Sequence, residues 1–202
     1  MNYARYLQNI TAIIIFTVTI GTPSITRGQQ QSSESKIEQS KEGEILIGLG
    51  VLLPGTVLID GGTSVERDST TSILAQLIYD DFSTSNASVG FYLNVGSVGM
   101  EYYEDPLSLF EGGITIRKKM KFEDKNLKAG VGLGYRMFSH SSLSGVTGLG
   151  LNAQAELQLG DPGQEHNIPY IGVGFLTQLT GGNDDYWITF GPILMLVGGV
   201  TL

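Results

Sequence analysis

Residues 148–159 read Gly148-Leu149-Gly150-Leu151-Asn152-Ala153-Gln154-Ala155-Glu156-Leu157-Gln158-Leu159. Every odd position is Leu or Ala; every even position is Gly, Asn, Gln or Glu. Successive side chains of a β-strand point to opposite faces, so this strand has one apolar face and one small, polar face.

The same alternation recurs from Glu44 onward. In a first strand Ile45, Ile47, Leu49 and Val51 oppose Gly48 and Gly50. In a second, over residues 72–82, Ile73, Ala75, Leu77 and Tyr79 alternate with Leu74, Gln76 and Ile78; an amphipathic helix starting near Thr70 competes there. In a third, Val89, Phe91, Leu93 and Val95 oppose Gly90, Tyr92, Asn94 and Gly96. The phase then slips, and a bulge near Ser97 would return Val98, Met100 and Tyr102 to the apolar face. A fourth, over 110–122, sets Ile114, Ile116, Met120 and Phe122 against Thr115, Arg117, Lys119 and Lys121, with Lys118 interrupting the apolar face. A fifth sets Ala129, Val131, Leu133, Tyr135 and Met137 against Lys128, Gly130, Gly132, Gly134 and Arg136. The stretch 148–159 is the sixth. A seventh carries Ile171, Val173 and Phe175, and the last carries Tyr186, Ile188, Phe190, Leu194, Leu196, Val200 and Leu202 on one face. The expected fold is therefore all-β: an eight-stranded antiparallel up-and-down transmembrane β-barrel over residues 44–202.

The beginning of the chain reads as an export signal. Residues 1–9 hold one cation, Arg5, and no acid; residues 10–21 (ITAIIIFTVTIG) form an apolar run too short for a spanning helix. Cleavage after Gly28 fits best and after Ser24 next, giving a signal peptide over 1–28. Its loss removes two arginines and no acid, which moves the formal charge from −8 to −10. Such acidity argues against nucleic acid as a partner. The chain has no Cys, so it has no disulfide and no acylated N-terminal Cys. Residues 29–43 (QQQSSESKIEQSKEG) are polar and low in complexity, and a flexible linker is expected. Gly makes up 28 of 202 residues, many inside strands, and close packing in a narrow barrel would account for that.

Connections are rich in Gly, Asp, Asn and Pro. Residues 83–87 and 123–126 are short; 54–71 and 139–147 are read as longer loops. Short turns lie on the periplasmic side of transmembrane barrels. Tyr79, Phe82, Tyr102, Tyr103, Phe110, Phe122, Tyr135, Phe138, Tyr170, Tyr186 and Trp187 fall near strand ends, as two interfacial girdles would require. Signal peptide, polar linker and eight alternating strands together resemble small outer-membrane barrels of the OmpA transmembrane domain, OmpW and opacity-protein kind. The resemblance covers 44–202 and is architectural. It implies a bacterial outer-membrane location, outer-membrane lipid and the barrel-insertion machinery as partners, and loop partners that the sequence does not name. Such barrels often end in an aromatic residue; this chain ends in Leu202.

Residues with chemistry are sparse. His166 lies in a polar turn. His140, Ser142 and Glu156 resemble the base, nucleophile and orienting acid of outer-membrane lipid A deacylase barrels, although Leu143 stands where that family has Asn. Carboxylates at Asp80-Asp81, 101–105 and Asp184-Asp185 are of the type that binds hard cations, but they lack a recognised ligand spacing, and solvated turns are the plainer reading. No metal, cofactor or phosphate loop is expected. The polar residues facing the barrel interior are Asn152, Gln154, Glu156, Lys128, Arg136, Arg117 and Lys119. Buried charges left unpaired are costly, so these should pair and fill a barrel just wide enough for its own side chains. The expected role is non-enzymatic: envelope integrity, surface interaction or small-solute passage. A lipid A ester hydrolase and a secreted soluble barrel binding a small ligand are the alternatives.

Overall fold

The period-two stretches form strands, and no helix occurs among the described residues. The computed structural model describes residues 43–81, 86–101, 105–140, 143–160, 166–183, 185 and 187–202. The expected signal peptide, all of the expected linker except Gly43, and the aromatics Phe82, Tyr102, Tyr103 and Tyr186 lie outside them. The strands are β1 (Glu44–Leu52), β2 (Thr56–Asp60), β3 (Ser64–Thr70), β4 (Ser72–Asp80), β5 (Ala87–Met100), β6 (Leu107–Phe122), β7 (Lys125–His140), β8 (Leu143–Gln158), β9 (Ile168–Gly182), β10 (Trp187–Phe190) and β11 (Ile193–Thr201).

All pairings are antiparallel. They run from β5 through β4, β1, β11, β9, β8, β7 and β6, and β6 pairs back onto β5, so the ladder returns on itself. Residues 72–80, where a helix competed in the sequence, are strand β4, paired along its length with β1. Glu44, Leu202, the hairpin turn 123–124 and the strand ends Asp80, Ala87, Gln158 and Ile168 lie at one end of the ring, the terminus end. The hairpin turn 61–63 and the strand ends Met100, Leu107, His140, Leu143, Gly182 and Trp187 lie at the far end.

The far end differs from the sequence expectation. Residues 54–71 are not a loop: β2 and β3 form a hairpin there, turning through Gly62 at φ 89°. Residues 139–147 likewise belong almost wholly to β7 and β8. Three chain runs, β1–β2, β3–β4 and β10–β11, are single long strands broken at Pro54, Thr71 and Pro192. Proline has no N–H for the ladder, so Pro54 and Pro192 interrupt pairing. Nearby backbone bonds carry the sheet across the breaks: Leu53 N–H donates to Leu194 O at 2.8 Å, and Ser69 N–H to Gly55 O at 2.7 Å.

The facing of side chains inverts across these breaks. Ile45 to Val51 point outward at odd positions, whereas Val57 and Ile59, also odd, are buried. Leu194, Leu196 and Val200 point outward, but Ile188 and Phe190, expected on the same face, are buried. The expected bulge at Ser97 is absent: β5 keeps its register against β6, and Val98 and Met100 point inward. The extra residue lies instead in 71–73, opposite the two residues 97–98.

The result is two zones. Toward the terminus end the outward face is apolar (Ile47, Leu77, Phe91, Ile114, Leu133, Ile171, Leu196) and the inward face is polar. Toward the far end Ser64, Glu66, Asp68, Ser108 and Ser139 are exposed, while Leu52, Val57, Val98, Leu107, Phe138, Ile188, Phe190 and Met195 form a buried apolar cluster. Two expected girdle aromatics, Phe138 and Tyr170, are buried on the inner face, because their positions share parity with inward residues. Tyr79, Phe110, Phe122, Tyr135 and Trp187 are exposed.

Candidate functional site: the buried polar core

The inward positions of the terminus half carry a layered network of charges and amides. In the first layer, at the rim, the carboxylate of Glu44 on β1 accepts from Lys119 of β6 at 2.8 Å and from Lys128 of β7. Glu44 and Lys128 belong to strands four pairings apart in either direction round the ring, so this contact spans it.

Arg117 is the hub of the second layer. Its guanidinium donates to Asp80 at 2.8 Å and to Glu156, and all three side chains are at most 2% exposed. Ser88 donates to the other Asp80 oxygen at 3.2 Å. Gln154 donates to Glu156 and pairs reciprocally with Gln76 through amide bonds of 2.8 and 2.9 Å. Gln76 donates further to Asn94 at 3.1 Å. β4 and β8 are also four pairings apart, so the Gln76–Gln154 pair bridges opposite walls directly.

A third layer lies beneath the apolar cluster. Glu111 accepts from Tyr92 at 2.7 Å and from both Nε and NH2 of Arg136, at 3.0 and 2.7 Å. Arg136 also donates to the Thr177 carbonyl at 3.1 Å. Glycines make room for these groups. A Cβ on Gly150 would sit 2.5 Å from the Arg136 guanidinium carbon, and one on Gly134 would sit 2.3 Å from the Tyr92 hydroxyl. Above this layer the apolar residues leave a void of about 10 Å³ lined by Leu52, Leu109, Arg136, Phe138 and Phe190.

Asn152, Gln154, Glu156, Lys128, Arg136 and Arg117 are all buried on this inner face, and Lys119 is half-buried at its rim. Asp80, Gln76, Asn94, Glu111, Tyr92 and Glu44 complete the network and were not among the site residues read from the sequence. Strand parity marks them: Glu111 shares a face with Arg117, and Asp80 shares one with Gln76. Asp80, expected in a solvated turn, ends β4 with its oxygens engaged by Arg117 and Ser88.

Of the deacylase-like set, the structure places His140 and Glu156 far apart. His140 ends β7 at the far rim, with Nε2 3.1 Å from the Asp105 carbonyl oxygen. Glu156 lies opposite Lys128, twelve residues back along β7, or about 40 Å of strand. Its oxygens bond Arg117 and Gln154, and Ser142 lies outside the described residues.

No protein-family model matches the sequence, and no curated protein matches it. Solved structures do. The outer membrane protein OprG from Pseudomonas aeruginosa aligns with a TM-score of 0.51 at 11% identity, covering 79% of this chain and 95% of that one. The fold is thus that of small outer-membrane β-barrel proteins. The outer membrane protein AlkL, solved in lipid bilayers, aligns at a TM-score of 0.47 and 15% identity, over 86% of this chain and 95% of that one. Ail, the attachment invasion locus protein of Yersinia pestis, aligns at 0.42 and 17%, over 80% and 99%.

Proposed function

We propose that the chain is an eight-stranded up-and-down transmembrane β-barrel of a bacterial outer membrane, closed by its own interior, that acts as a non-enzymatic envelope and surface protein. The observation that carries this reading is the inversion of sidedness along one ring. An apolar outside over a charged inside suits hydrocarbon, because lipid solvates apolar side chains and leaves every polar group to pair within the protein. A polar outside over an apolar inside suits water. The change of sidedness at Pro54, Thr71 and Pro192 then marks where the wall leaves the bilayer. The outward apolar face of β8 and of Leu159 just after it runs from Leu149 to Leu159, which at a barrel tilt is about 25 Å of height, the thickness of an outer-membrane apolar band.

The filled interior favours envelope integrity or surface interaction over solute passage. Pairs that cross the ring and the apolar cluster above them occupy the path along the axis. Fractionation tests the reading. The mature protein should stay with the membrane pellet in carbonate, need detergent for release, and migrate faster on a gel when unheated. Release by carbonate alone would favour the soluble barrel.

A further inference from the structure

The ring closes where its first strand, β1, meets its last, β11. Every other neighbouring pair in the ladder is joined by a short stretch of chain, whereas β1 and β11 belong to opposite ends of it. Pairing them closes a loop that holds nearly the whole ring, and loop-closure entropy grows with loop length. The centre of this seam has few side chains to set against that cost. Three consecutive pairs, Gly48–Gly199, Leu49–Gly198 and Gly50–Val197, each contain a glycine. Cross-strand side-chain pairs are the unit of sheet stabilisation, and they are missing there.

Tyr170 supplies a substitute. It stands on β9 opposite Gly199 of β11, which stands opposite Gly48 of β1. Its side chain is buried on the inner face, and its tip lies at Gly48: a Cβ there would collide with the hydroxyl. The phenol therefore crosses β11 over Gly199 and touches β1, so one side chain joins three strands. The same arrangement recurs on the opposite wall. Tyr92 of β5 stands opposite Gly113 of β6, Gly113 stands opposite Gly134 of β7, and a Cβ on Gly134 would collide with the Tyr92 hydroxyl. The two tyrosines differ at the hydroxyl. Tyr92 donates to Glu111, whereas the hydroxyl of Tyr170 has no hydrogen-bond partner among the described residues.

We infer that the β1–β11 seam is the joint at which the ring opens, and that Tyr170 is the clasp that keeps it shut. Tyr92 spans strands that the chain itself connects, and a hydrogen bond fixes its tip. Tyr170 spans the one pair that no connection tethers, and it holds that pair by the packing of its aromatic ring alone. A contact of that kind detaches without stranding a partner. The inference rests on closure of the ladder, whichever solvent the outer wall meets.

Amide hydrogen exchange in rising urea, followed strand by strand, tests it with the mature protein folded in neutral detergent micelles. In wild type the amides of residues 47–51 and 196–200 should begin to exchange at lower urea than those of the β6–β7 ladder, a readout that needs no variant to fold. Tyr170→Leu stays apolar but is too short to reach Gly48. It should speed exchange at the seam about tenfold or more and leave the β6–β7 ladder unchanged. Tyr170→Phe should exchange as wild type does, because the hydroxyl has no bond to lose. Exchange of all strands in one step in wild type, an equal rise in every strand in Tyr170→Leu, or a seam loosened as much by Phe as by Leu overturns the inference and leaves the closed ladder standing.

Discussion

Arg117 stands between two carboxylates with almost no water around any of the three. Removing one member of such a set strands charge in a low-dielectric site, which costs about 3–5 kcal/mol. Arg117→Met should therefore lower stability by about that amount, measured by urea unfolding in lipid vesicles; a loss below about 1 kcal/mol would mean that Asp80 and Glu156 reach water. Gly150→Ala tests the packing of the layer above. Its new methyl meets the Arg136 guanidinium, and overpacking of this kind costs about 1–3 kcal/mol, read in the same titration. At this scale the sequence is half legible. Parity alone places Gln154, Glu156 and Arg117 on one face of their strands. Which carboxylate meets Arg117 is not legible, because Asp80 and Glu156 lie 37 and 39 residues away on strands that do not adjoin β6.

At the scale of the strand, what matters is the solvent each face meets. Leu133 is exposed on β7, opposite Ile114 and Leu151, in the middle of the apolar band. Leu133→Arg should cost about 2–4 kcal/mol in a bilayer, whereas Ser64→Arg at the far end should cost little. Equal, small costs at both positions in vesicle unfolding experiments would remove the membrane from the explanation. Phe190 stacks on Phe138 inside the far end, with ring centroids 4.6 Å apart. Phe190→Ala should cost about 3–5 kcal/mol by the same measurement, as a cavity in a soluble core would. Strand phase was legible wherever the chain runs unbroken, as in β7 and β8. It is not legible over 54–71 or at Ile188 and Phe190, since a proline or an extra residue reverses which parity faces inward, and the polar outward face of β3 has the composition of a loop.

The whole ring is held by contacts that no single strand contains. The Gln76–Gln154 and Glu44–Lys128 pairs join opposite walls, so they exist only once the ladder has closed. A wall this narrow, filled in this way, should pass little current. In planar bilayers the protein should show no steady conductance of porin size, and a steady open level of that size would sink the closed-interior reading. The sequence by itself determined the period of two, hence strands, and the opposed polarity of their faces, because side-chain direction in a strand follows from backbone geometry alone. Only the tertiary structure decided that this polarity reverses toward the far end, and which buried acid answers which buried base. Both depend on closure and register, which bring together residues tens of positions apart.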